Sequence, residues 1–90
     1  MNISNHAEKR MSERGIPPFA IDCLLEFGDI EFHKGREIYR MSKRAERHLK
    51  SYMGELSGEA KKLLRDLYVV TAGEDIVTVA RQTGHLKRNR

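Results

Sequence analysis

Three groups of residues in this chain have the types and spacing to grip a phosphate and move a proton. The first is His6, Arg10 and Arg14, with Glu13 beside them. At helical spacing these project from one side. An imidazole next to two guanidiniums can hold a phosphate and act as acid or base. The second is Arg36 and Arg40, followed by Lys43, Arg44, Arg47 and His48. Arg36 and Arg40 share one face of a strand, with Ile38 between them. The other four fall in the first turns of the next helix, with Arg44, Arg47 and His48 expected on one side. Cations there oppose the positive N-terminal end of the helix macrodipole. A feature that runs against local preference hints at function. The third group, Arg81, His85, Lys87 and Arg88, ends the chain's last strand and its tail. Small metal-free nucleases need such sets: Arg and Lys to hold the phosphate and stabilise its developing charge, His to transfer the proton. Each group also has a plain reading, as an amphipathic helix surface, a solvated charged face and a cationic tail.

Other chemistries fit less well. A zinc site would draw on His6, Cys23, His33, His48 and His85, and no pair has the close spacing of a structural zinc motif. Cys23 lies inside an apolar helix, where burial raises a thiol's pKa and leaves it inert. The seven glycines are scattered as caps and turns, so no phosphate-cradling loop is formed. The residues therefore call for no metal and no cofactor. Tyr39, Tyr52, Tyr68, Phe19, Phe27 and Phe32 all fall where a core would want them, which argues against an aromatic platform for bases.

The formal net charge of +4 understates how the charges are segregated. Residues 34–50 hold seven Lys/Arg against two Asp/Glu, and residues 81–90 hold four cations and no acid. Residues 1–33 carry six acids against three cations, and residues 51–80 five against three. Two basic blocks set between acidic stretches make a charged binding face if the fold joins them. Ninety residues with 39% hydrophobic composition suffice for one core and one domain, residues 1–90, with 84–90 expected as a flexible basic tail. No apolar run is long enough for a membrane span, no signal-peptide core opens the chain, and the lone cysteine fits a reducing, cytoplasmic setting.

The elements that must position these groups can be read locally. A first helix from Asn5 to Arg14, capped by Asn5, ends at Gly15, and Pro18 starts a second that stops at Gly28. Strands over 30–33 and 37–41 flank a Lys34-Gly35 turn. Ser42 and Ser57 cap two further helices. Strands over 67–72 and 76–81 close the chain around Gly73. On the last strand, Val77, Val79 and Arg81 are expected on one face, and Ile76, Thr78 and Ala80 on the other. The expectation is an α+β fold: N-terminal helices packed on one face of a four-stranded, mainly antiparallel sheet, with a helical insertion between two hairpins.

The string His6-Ala7-x-x-Arg10-Met11-x-x-Arg14-Gly15-Ile16 resembles the opening of a bacterial family known as domain of unknown function four-two-five-eight. The closing Tyr68-Val69-Val70-Thr71 and Ile76-Val77-Thr78-Val79-Ala80-Arg81 look similar too. The resemblance covers about half the chain, and the helical segment 42–66 is longer than such a compact member implies. That family is distantly like the RelE/ParE toxin fold, some of whose members cleave RNA without a metal, while others inhibit gyrase. The resemblance implies roles for His6, Arg10, Arg14 and Arg81 only. Together with the charge segregation it leads to two expectations. The first is RNA binding through a basic face, with metal-independent ribonuclease chemistry drawing on His6, His48 or His85. The second is a non-enzymatic module that docks an acidic, antitoxin-like protein.

Overall fold

The computed structural model describes residues 2–81 of the chain. In order these form β1 (Asn2–Ile3), α1 (Asn5–Arg14), α2 (Pro18–Phe27), β2 (Asp29–His33), β3 (Arg36–Arg40), α3 (Lys43–Met53), α4 (Gly58–Asp66), β4 (Leu67–Ala72) and β5 (Asp75–Arg81). The expected antiparallel sheet is β2 to β5, with α3 and α4 inserted between its two hairpins. The two-residue β1 adds a parallel edge beside β5, giving the order β1-β5-β4-β3-β2. So short a strand carries no periodicity to read.

Local chemistry sets the boundaries. Ser4, rather than Asn5, caps α1, its hydroxyl accepting from the Ala7 amide at 3.1 Å. Ser42 and Ser57 do the same for α3 and α4, through Ala45 at 3.0 Å and Ala60 at 3.1 Å. Each cap satisfies one of the amides that a helix start leaves without an intrahelical acceptor. In the β2–β3 turn, Lys34 at φ 50° and Gly35 at φ 79° both have the positive φ of a two-residue type I′ loop. His33 and Arg36 close it.

The four helices cover one face of the sheet. A single core cluster joins Ala7 and Met11 of α1, Ile21 and Leu24 of α2, Leu49 of α3 and Leu64 of α4 to Tyr39, Leu67, Val69, Ile76 and Val79 of the strands. Directly paired residues share a face, and Tyr39, Val69 and Val79 form one such row. Strict alternation fails on β5. A bulge at Val70/Thr71 pairs Thr71 with Ile76 while Val70 pairs with Thr78. Ile76 therefore joins Val79 in the core and Val77 does not, which overturns the expected grouping of Val77 with Val79.

The opposite face carries Arg36, Ile38 and Arg40 from β3, Tyr68 and Val70 from β4, and Thr78 and Ala80 from β5. None belongs to the core cluster, and among the described residues no helix packs on this face. No helix of these residues is long and apolar enough to cross a membrane.

Candidate nucleic-acid interface

One cross-strand row of the open face holds Asp29, Arg40, Tyr68 and Ala80, one residue from each of β2, β3, β4 and β5. Within it the Arg40 guanidinium lies over the Tyr68 ring, 5.4 Å from the ring centroid. Its Nε lies 3.2 Å from a carboxylate oxygen of Glu31, in the neighbouring row. Arg40 is thus contacted by both a π face and a carboxylate. Arg44, at the start of α3, donates to Asp29 at 3.3 Å. The Ser42 hydroxyl first, and the Arg44 guanidinium next, hold the Asp29 carboxyl below its ordinary range. Two guanidiniums from two elements, each with its own carboxylate, therefore meet at one end of the open face.

Gly28 sets this meeting point. A Cβ there would lie 2.6 Å from the Leu24 carbonyl oxygen and 3.0 Å from that of Arg40. Only glycine lets the end of α2 pass this close to the end of β3 and deliver Asp29 beside Arg40.

His48 continues the site along α3, one turn beyond Arg44. Its ring meets Phe27 edge-on with centroids 5.3 Å apart, and Tyr52 lies 5.5 Å from Phe27. Arg44, His48 and Tyr52 thus form an i, i+4, i+8 stripe, and Tyr52 is 78% exposed. Arg47 departs from the expected grouping with Arg44 and His48. It lines a cleft between α3 and α4 together with Lys43, Lys50 and Lys61, beyond the helix's other margin. The physical reason is the 100° step of the helix, which carries Arg47 past the solvent-facing midline toward α4.

The remaining expected residues are more scattered. Arg36 is exposed on the open face but closes the turn at the far end of β3 from Arg40. Arg81 is exposed at the end of β5, one register step beyond the Tyr68–Ala80 pair. His6 and Arg14 are exposed on α1, and Arg10 is half-buried there. That helix starts next to Ile76, whose carbonyl accepts from the Ser4 amide at 2.9 Å. His6 therefore sits by the end of β5 opposite to Arg81 and is not brought to Arg40 and Arg44. His85, Lys87 and Arg88, and the expected tail 84–90, lie outside the described residues. Among the described residues no group of His, Cys, Asp and Glu could hold a metal ion. Cys23 is buried, and burial, with Asp22 adding to it, pushes its thiol up.

The aromatic residues correct the expectation that all six serve the core. Tyr39 alone is buried, at 8% exposure, with its hydroxyl donating to Glu37 at 3.3 Å. Phe32 is 75% exposed and Phe19 41%. Tyr68, half-buried on the open face, is the functional candidate that the sequence reading missed. Its strand, Leu67-Tyr68-Val69-Val70-Thr71-Ala72, is apolar on both faces and so masks which of them is covered.

Comparison with protein-family models, with curated proteins and with solved structures finds no match to this chain.

Proposed function

We propose that this protein is a RelE-toxin-like domain that binds RNA across the open face of its sheet, in a cytoplasmic setting. The observation that supports it best is the Arg40 guanidinium over the Tyr68 ring, beside the Arg44–Asp29 pair. A guanidinium over an aromatic ring, on a sheet face that no helix of the described residues covers, offers one charge for a phosphate and one π surface for an unstacked base. Arg44 supplies the second phosphate contact, and Arg36 extends the positive surface along β3; Arg81, paired with the core residue Leu67, is on the sheet's other side and takes no part. In this reading His48, one helical turn from Arg44, serves as the acid–base group that acts on a bound strand without a metal. His6 takes no part in this reading.

The test is RNA binding measured as a function of salt, run beside transcript cleavage with a chelator present. The double variant Arg40→Ala/Arg44→Ala is expected to make the slope of log affinity against log salt shallower by about 1.4, on the order of 0.7 for each lost single-strand phosphate contact. Lys43→Ala, on the other margin of α3, should change it less. Cleavage that persists in chelator and vanishes in His48→Gln supports the catalytic role. A slope unchanged in the double variant refutes the interface.

The alternative, docking of an acidic protein segment, has its own supporting observation. Arg40 and Arg44 already hold the carboxylates of Glu31 and Asp29, groups that such a segment would replace in kind. Co-purification of a stoichiometric acidic protein, with no nucleic acid bound, favours that reading.

A further inference from the structure

β2 is an edge of the sheet; Asp29 and Glu31 put charge on it, but it has neither of two other common protections, a bulge or a proline. The β2–β3 ladder runs from Asp29–Arg40 to His33–Arg36 in unbroken register, without a bulge and without proline. Ile30 is 45% exposed and Phe32 75%, both on the sheet's helix-covered side but beyond the reach of the helices.

Ladder parity identifies which backbone groups of this edge are available. The turn between β2 and β3 is a two-residue loop with positive φ at Lys34 and Gly35, so His33 and Arg36 form a hydrogen-bonded pair. Hydrogen-bonded and non-hydrogen-bonded pairs alternate along an antiparallel ladder. Glu31 and Asp29 therefore also bond inward to β3. The amides and carbonyls of Ile30 and Phe32 point outward.

We propose that this edge pairs with the same edge of a second copy of the chain, antiparallel, about a twofold axis at Glu31. The segment Asp29-Ile30-Glu31-Phe32-His33 selects this partner and this register. Only with the axis at Glu31 does Ile30 face Phe32 of the partner subunit and Phe32 face the partner's Ile30, so that every outward amide and carbonyl is used. An axis at Ile30 or at Phe32 would use one outward residue per chain and leave the other unpaired. The chosen register also sets aromatic against β-branched side chains on one face, a favourable cross-strand combination. On the other face it sets Asp29, a hydrogen-bond acceptor, against the partner's His33, whose ring N–H can donate. The like pair at the axis, Glu31 with the partner's Glu31, is offset because each chain's own Arg40 lies 3.2 Å from its Glu31. The sheet then runs continuously through both copies.

Sedimentation velocity over a rising concentration series tests this directly. The expected result is a reversible monomer–dimer equilibrium that Phe32→Lys abolishes. Because Phe32 is 75% exposed, that variant should keep its thermal midpoint when both proteins are compared at a concentration where the unaltered chain is monomeric, which separates loss of pairing from loss of fold. Register is read by cross-linking. Glu31→Cys places two thiols opposite each other at a non-hydrogen-bonded site, with Cα atoms about 4.5 Å apart, and should oxidise to a covalent dimer. His33→Cys faces the partner's Asp29 and should not. The chain's own thiol, Cys23, is buried and does not compete. A monomer at millimolar concentration, a dimer that survives Phe32→Lys, or equal cross-linking by the two cysteine variants would each overturn the proposal. These outcomes are independent of whether the open face binds RNA.

Discussion

Gly28 is the residue on which the geometry of the interface turns, and its role is steric. Its φ of −68° is open to any residue, so it is the approach of the Leu24 and Arg40 carbonyls that demands a hydrogen in place of a side chain. Gly28→Ala is expected to force the end of α2 away from β3, costing about 1–3 kcal/mol as overpacking does, as urea denaturation would record. The same shift separates Asp29 and Arg44 from Arg40, so RNA affinity should fall along with stability. Gly28 itself could be read in the sequence as the stop of the second helix. The close approach could not, because it depends on Arg40, a residue distant in sequence.

At the scale of elements, α3 and α4 are joined by charge as well as by Leu49 and Leu64. Arg65 donates to Glu46 at 2.6 and 3.0 Å, and Glu55 receives Lys61 and, at 2.9 Å, Lys50. The hydrogen bond from Lys61 first, and that from Lys50 next, hold the Glu55 carboxyl down at about 2, from an ordinary 4.5. A depressed carboxyl contributes stability that is complete above its unfolded value and is lost as pH falls through the folded one. Acid should therefore weaken the α3–α4 junction progressively between about 4.5 and about 2. Glu55→Gln should lower the urea midpoint at neutral pH, where that contribution is complete, and flatten its dependence on pH in that window, so that the two proteins converge in acid. Because Glu55 is exposed, salt should reduce the effect. The serine caps of α3 and α4 and the hairpin turns were legible in sequence, since each depends on a few adjacent residues. The division of α3 into an Arg44–His48–Tyr52 stripe and a Lys43–Arg47 margin was not fully so. Which margin meets α4 is settled by packing.

At the scale of the molecule, the four helices of the described residues and one face of the sheet enclose a small core, which leaves little stability in reserve. Ninety residues correspond to about 5–13 kcal/mol in total. Leu24, with no exposed surface, joins α2 to the sheet, and Leu24→Ala should remove about 2–5 kcal/mol. The expected outcome is one cooperative transition at a much lower urea midpoint, followed by circular dichroism; a second, unaffected transition would contradict a single core. Hydrophobic spacing, caps and turn residues determined the α+β class, the helices, the two hairpins and the charge segregation, because each is written within a short stretch of chain. Tertiary structure alone decided which face of the sheet stays open, because β4 is apolar on both sides. It placed Tyr68 under Arg40 and left His6 at the other end of β5, since strand pairing joins residues that sequence keeps apart. The bulge at Val70/Thr71 moved Ile76 into the core, a one-residue slip that local alternation has no means to register.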